Sequence, residues 1–191
     1  MKLSFLLPEE IQEKEQTVFQ RIPTIINAGP ASYSQTRIWV DEKAFELLPR
    51  YEELSVAVLR WLGAHVDNDV KIAHIIPILR YPSNLLRIER GVTTFGYVML
   101  APFEMTNEVT IGNHVRLSAD AYIQCHTLEQ RSLKLASVTV NHSCILMSYS
   151  NLLPGSTLHG RNQILPYTLV MKNDQLPFNT NWSGVPASQV I

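Results

Sequence analysis

An aliphatic side chain recurs at every sixth position between Val140 and Val170: Val140, Leu146, Leu152, Leu158, Ile164 and Val170. Four residues after most of these stands a small one, Cys144, Ser150, Ser156 or Thr168, with Asn162 as the exception. Neither the 3.6-residue helical period nor simple strand alternation requires an aliphatic residue at every sixth place alone. A six-residue period fits a β-helix, in which short strands coil and each coil stacks on the last. The large residue fills the core of the prism, and the small one fits where the chain turns a corner.

The totals agree with a compact chain. At 191 residues there is enough length for one well-buried domain with a small appendage. A hydrophobic content of 46% against 17% charged residues places it among folded proteins. A formal net charge of −1 gives no electrostatic reason to expect nucleic acid or an anionic membrane. No apolar run approaches the roughly 20 residues that span a bilayer, and Pro8-Glu9-Glu10 cut the apolar start short of a secretory signal. Two cysteines argue against a disulfide scaffold, and Cys144, at a small inward position, reads as a packed thiol. The expected setting is reducing and cytoplasmic.

Along the chain, residues 8–20 read as a short amphipathic helix with Glu9 and Glu10 in its first turn. Pro23 and Gly29-Pro30 then break the chain. The spacing of Leu54, Val58, Leu59 and Trp61 predicts a helix from about 49 to 61, whose apolar face caps the first coil. Hexads open at Leu62-Gly63-Ala64 and run loosely to Ile72. They resume after Tyr81-Pro82 at Ile88, Thr94 and Leu100, with Val92 and Val98 as inward partners. A second excursion near 102–107 precedes Ile111, Leu117 and Ile123, with Val115, Ala121 and Thr127 inward. Residues 129–139 break the period and read as a loop thrown out from the prism. Asn173-Asp174 is expected to turn the chain out of the coil into a Pro-rich strap. The organisation expected is thus an N-terminal helix and loop over 1–48, then 49–191 with the capping helix, a β-helix over about 62–173, and the strap.

Two stretches resemble known families. Pro30 to Asp41, with Ser32, Gln35, Arg37 and Trp39, looks like the first motif of the condensation domains of nonribosomal peptide synthetases. The His-His-x-x-x-Asp-Gly string that condensation needs does not occur, so this piece does not condense. From Ala121 onward the chain is similar to the hexapeptide-repeat acyltransferases, and the resemblance as a whole spans about residues 55–191. The likeness rests on the hexads, on Leu169-Val170-Met171-Lys172, and on the ending Gly184-Val185-Pro186-Ala187 with Val190-Ile191. Closer still is the carboxyl-terminal β-helix domain of peptide-synthetase-like proteins of the poly-lysine synthetase type. There a His-Thr-Phe-Glu-Asp-Arg string precedes a Lys and the final hexads; here His126-Thr127-Leu128-Glu129-Gln130-Arg131 and Leu62-Gly63-Ala64 stand in the matching places. The resemblance implies an all-β fold, a single-stranded left-handed parallel β-helix with an N-terminal helical segment, and a fragment of peptide-synthetase lineage. One departure is plain: Asn141, Met147, Leu153, His159 and Leu165 stand where the family usually has Gly, and only Gly112 follows an in-register aliphatic. Leucine does not adopt unusual backbone angles cheaply, so strain or altered turns are expected there.

For chemistry, His126 is the leading candidate. It lies three places after inward Ile123, so it should point off the prism beside the ejected loop. The resemblance implies a general base taking a proton from an acceptor hydroxyl or amine as it attacks an acyl thioester, work that a neutral imidazole suits. Glu129 is positioned in sequence to orient the ring as its catalytic partner, and Arg131 to hold an anionic acceptor or the Glu129 carboxylate; the competing reading is that His126, Glu129 and Arg131 form a structural network pinning the loop. The six histidines, at 65, 74, 114, 126, 142 and 159, show no spacing that stacks three rings at one corner, so no metal is expected. Cys125 beside His126 is weak evidence for a thiol nucleophile. Two readings of different class remain. One is an acyltransferase using acyl-coenzyme A as co-substrate or a carrier-bound thioester, with no tightly bound cofactor, acting on a small-molecule acceptor within a homotrimer. The other is a non-catalytic assembly domain left from a larger synthetase.

Overall fold

The computed structural model describes residues 52–101 and 106–190. The helix expected at 8–20 and the condensation-like string at 30–41 lie outside the described residues. The first element described is helix α1 (Glu52–Trp61), inside the span predicted from the apolar spacing. It buries Val56 and Leu59. It ends on Gly63 at φ +98°, with Gly63 N–H donating to Arg60 O (3.0 Å) and Ala64 N–H to Leu59 O (2.9 Å). That double bond around a left-handed glycine satisfies the last helical carbonyls and delivers the chain directly into the first coil.

From Ala64 onward the chain winds into a parallel β-helix with three sides. Among the described residues one sheet runs from His65–Val66 to Gln175–Leu176 through six strands. A second runs from Thr93–Thr94 through Asn181–Ser183 to Ser188–Val190, and a third from Met99–Leu100 to Leu169–Val170. We call them the first, second and third faces. The sextet spacing appears in the register itself, since Val140 pairs with Leu158 and Leu158 with Leu176, 18 residues or three hexads per coil. Every residue of the Val140–Val170 series is fully buried, as are Ile123, Val115 and Ala121. Each such aliphatic contributes about 1.5–3 kcal/mol relative to exposure.

Asn162, the one polar residue in the small-residue series with an amide side chain, is buried and satisfied. Its Oδ1 accepts from Gly160 N–H at 3.0 Å, while its Nδ2 donates to Pro177 O at 2.6 Å and Thr180 Oγ1 at 2.9 Å. It ties one coil's corner to the next.

The corners solve the glycine question differently from the expectation. Positive φ falls on the third residue after each inward aliphatic: Ser143, Tyr149, Gly155, Arg161, Tyr167, Asn173 and Asn179. Asn141, Met147, Leu153, His159 and Leu165 are absent from the left-handed region, so replacing Gly there carries no backbone strain. The cost lies instead at Tyr149 and Tyr167, where a non-Gly left-handed residue costs about 1–2 kcal/mol. Their rings stack on one another, centroids 5.0 Å apart and 5° from parallel, which offsets part of it.

The coil also runs further than expected. Asn173-Asp174 is an ordinary corner, because Leu176 falls at the next sextet place and enters the core. Trp182 then pairs opposite Ile164, and Ser188–Val190 folds back antiparallel on Asn181–Ser183. The expected strap is therefore a final coil with a reversed edge strand. Residues 129–139 are likewise no open loop. The excursion starts at His126 and forms an antiparallel hairpin, His126–Glu129 with Ser132–Leu135. Thr127 thus belongs to the hairpin rather than the core, and Cys125 is the last inward residue before it.

Candidate functional site

Among the described residues the chain leaves the coil three times, at the corner where the third face passes to the first. Ile88 lies 22 places after its partner Val66, Ile111 lies 23 after Ile88, and Val140 lies 29 after Ile111, against 18 in a plain coil. The first insertion carries helix α2 (Ile76–Leu79) and Tyr81, the second lies between Leu100 and Val109, and the third is the hairpin. Extra chain on three successive coils therefore gathers at one edge of the prism.

Tyr81 knits these insertions together. Its buried hydroxyl lies 3.1 Å from Thr106 Oγ1 and donates to Asn107 O. Burial pushes its phenol far above the ordinary tyrosine range, so it remains a donor. Cys125 Sγ, at the root of the hairpin, donates to Glu108 O at 3.6 Å. Burial likewise raises the Cys125 thiol, which keeps it protonated and a poor nucleophile. The hairpin root is closed by Ala136 N–H donating to Cys125 O at 3.0 Å and by Gln124 Nε2 donating to His126 O at 2.6 Å.

The hairpin's pairing sorts the candidate residues. His126 faces Leu135, Thr127 faces Lys134, Leu128 faces Leu133 and Glu129 faces Ser132. Directly paired residues share a face and successive residues alternate. His126, Leu128, Leu133 and Leu135 therefore form one face, and Thr127, Glu129, Ser132 and Lys134 the other. The tip, Gln130-Arg131, has φ of +48° and +61°, the two left-handed residues of a type I′ turn.

His126 is the first residue of the hairpin and Arg131 lies at its exposed tip. Glu129 stands elsewhere. An i, i+3 pair on a strand points to opposite faces, and the Glu129 carboxylate is held by Thr127 Oγ1 (3.1 Å), Lys134 Nζ (3.1 Å) and Lys172 Nζ. The contact with Lys172 joins it to the shaft. Lys172 and Tyr81 were missed by sequence reasoning. Lys172 lies 43 positions from its partner, and no periodicity links a hairpin to a corner two coils on.

The electrostatics of His126 derive from its half-buried position. Desolvation lowers its pKa below the ordinary value of 6.5, so the ring is neutral at pH 7 and able to accept a proton. The other described histidines are dispersed: His74 stacks on Tyr97, His142 packs near Phe178, and His159 Nε2 lies 3.1 Å from Gln175 Oε1. Among the described residues no three His, Cys, Asp or Glu side chains group as a metal site would need. None of the described helices is long and apolar enough to cross a membrane.

No family model matches the chain. Solved structures do. A hexapeptide-repeat acetyltransferase of Vibrio cholerae superposes with a TM-score of 0.62, covering 74% of this chain and 80% of its own, at 16% identity. The fold is that of the hexapeptide-repeat acetyltransferases. Those neighbours are left-handed β-helices, and coils of opposite hand do not superpose over three quarters of a chain, so this coil is left-handed as well. The Vibrio cholerae enzyme complexed with acetyl coenzyme A matches at a TM-score of 0.53 and 15% identity, over 74% of this chain and 77% of that one. An N-acyltransferase from Bacillus cereus, solved with a dTDP-amino sugar and coenzyme A, matches at 0.56 and 11% identity, over 73% of this chain and 88% of that one. By sequence, the delta-poly-L-ornithine synthetase of Acinetobacter baumannii is 29% identical over 111 residues. That stretch is 58% of this chain and only 8% of the synthetase.

Proposed function

We propose that this β-helix is an acyl-transfer domain of peptide-synthetase lineage, moving an acyl group from coenzyme A or a carrier thioester to a hydroxyl or amine. The observation that carries the reading is a neutral, half-buried histidine at the root of a hairpin that leaves an acetyltransferase-type coil. His126 takes the proton of the acceptor as its oxygen or nitrogen bonds to the thioester carbonyl carbon. The carbon–sulfur bond then breaks, and the departing thiolate is protonated, the imidazolium returning the proton. Arg131, at the exposed tip, meets an anionic group of the acceptor.

The hairpin face that carries His126 supports a homotrimer. Leu128 is 76% exposed and Leu135 42% exposed, on the same face as the histidine. Apolar side chains turned outward beside a proton-accepting ring suit a cleft closed by a second copy.

The test is binding and turnover with acetyl-coenzyme A. At 100 times its dissociation constant the donor should stabilise the fold by about 2.7 kcal/mol. Thiol release in the presence of a panel of amines and alcohols should vanish in His126→Ala while donor binding persists. No stabilisation and no thiol release from the unaltered chain would replace this reading with the assembly-domain one.

A further inference from the structure

We infer that Lys172 is a positioning residue for His126, acting through Glu129 to hold the hairpin down along the shaft. Its consequence for turnover rests on the acyl-transfer reading; the tether itself does not.

Lys172 stands at the corner between Leu169–Val170 and Gln175–Leu176, one residue before left-handed Asn173. That corner is rigid, since Asn173 N–H donates to Pro154 O at 3.1 Å and Asp174 N–H to Met171 O at 3.3 Å. The hairpin springs from the same edge of the prism two coils earlier, at Cys125 and Ala136. Two coils are about 9.6 Å at the spacing of neighbouring strands. Glu129 meets Lys172 only if the hairpin lies along the edge, past the corner at Pro154-Gly155, instead of projecting into solvent. A bond at that corner agrees: Gly155 N–H donates to Ser137 O at 3.0 Å, just beyond the hairpin's end.

An isolated surface ion pair stabilises little. This one is more than a pair. Glu129 is 29% exposed and takes two ammonium groups and a hydroxyl, from Lys172, Lys134 and Thr127. Lys134 and Thr127 belong to the hairpin, so Lys172 alone of the three joins it to the shaft. The Glu129 end of the hairpin is thereby held against the coil, with His126 half-buried at its root. A hairpin freed from Lys172 keeps its own pairing and loses that orientation.

The experiment uses the full chain and three single variants, Lys172→Met, Glu129→Gln and Lys134→Met, with the double variant Lys172→Met/Glu129→Gln. Backbone hydrogen exchange is followed at Thr127, Ser132 and Lys134, which lie in the hydrogen-bonded pairs of the hairpin, with Leu146, Leu152 and Leu158 as the internal control for folding. Lys172→Met and Glu129→Gln should each speed hairpin exchange about tenfold and leave the control amides unchanged. The double variant should match the singles instead of multiplying them, and Lys134→Met should have a smaller effect. The His126 ring, followed by NMR titration, should shift its pKa upward in both tether variants as its burial relaxes, a change that loss of a bystander ion pair would not cause. Unchanged hairpin exchange in Lys172→Met, or multiplied effects in the double variant, overturns the tether. If exchange and titration behave as stated while the unaltered chain releases no thiol, the tether stands and the acyl-transfer reading falls.

Discussion

Tyr81 and Thr106 meet hydroxyl to hydroxyl, 3.1 Å apart, inside the one edge of the prism from which all three insertions leave. The same phenol donates to Asn107 O, so a single buried oxygen fastens the first insertion to the second. Replacing Tyr81 by Phe should lower stability in a urea titration by about 1–3 kcal/mol, because the Thr106 hydroxyl and the Asn107 carbonyl lose their partner without gaining water. A change below a few tenths of a kcal/mol would show that the hydroxyl is not structural.

His126 should impose an acid limb on activity. Its folded pKa is depressed by burial, so the base is neutral above that value and lost as pH falls through it. The kcat/KM profile should therefore fall on the acid side with an apparent pKa below 6.5. Stability carries the same sign. As pH drops below the unfolded value of about 6.5, the unfolded chain takes up the proton first, and the folded state loses stability until the depressed folded pKa is passed. His126→Gln should remove that part of the pH dependence.

Gly112 should tolerate no side chain. A Cβ there would lie 2.9 Å from the backbone of Asn141 and His142 and 3.0 Å from Val140 O, atoms of the next coil that cannot swing aside. Gly112→Ala should cost about 1–3 kcal/mol of stability, measured by denaturant unfolding. The cause is close coil-to-coil approach and not backbone angle, since Gly112 lies outside the left-handed region.

Leu152 and Leu128 offer a paired test of the prism. Leu152→Ala opens a cavity in the core column and should cost about 2–5 kcal/mol. Leu128→Ala, on the outward face of the hairpin, should leave monomer stability within about 0.5 kcal/mol. If the hairpin face closes a homotrimer as proposed, sedimentation of Leu128→Ala reports weaker association than that of the unaltered chain.

Arg131 holds its place at the hairpin tip at some expense in backbone strain. Arg131→Gly at φ +61° relieves a left-handed side chain and should stabilise the fold by up to about 1 kcal/mol in thermal unfolding. If Arg131 meets the acceptor, KM for an anionic acceptor rises in the same variant while donor binding is unchanged.

How much of this was legible in advance differs by element. The buried column from Val140 to Val170 was open to reading because each inward position depends only on its own place in the hexad. The same rule, carried one step on, would have placed Leu176 in the core; Asn173-Asp174 looked like an exit only because the prolines beyond it resemble a tail. The corner residues were misplaced by two positions. Glycine is the usual sign of a left-handed residue, and here Ser143, Tyr149, Arg161 and Tyr167 take that conformation without it. The hairpin was legible only as a break in the period, because residues 126 to 139 carry no strong turn dipeptide.

The amino-acid order by itself determined the coil, its three-hexad repeat and the identity of its core, because a stacked repeat is specified by local spacing and needs no distant partner. It also marked His126 as a side chain pointing off the prism beside an insertion. Only the tertiary structure decided what the insertions do with one another: that Tyr81 holds Thr106, that Glu129 meets Lys172, and that leucines share the histidine's face of the hairpin. Those pairings join segments from different coils. Stacking brings them together at one edge, and no periodicity along the chain encodes which of them will touch.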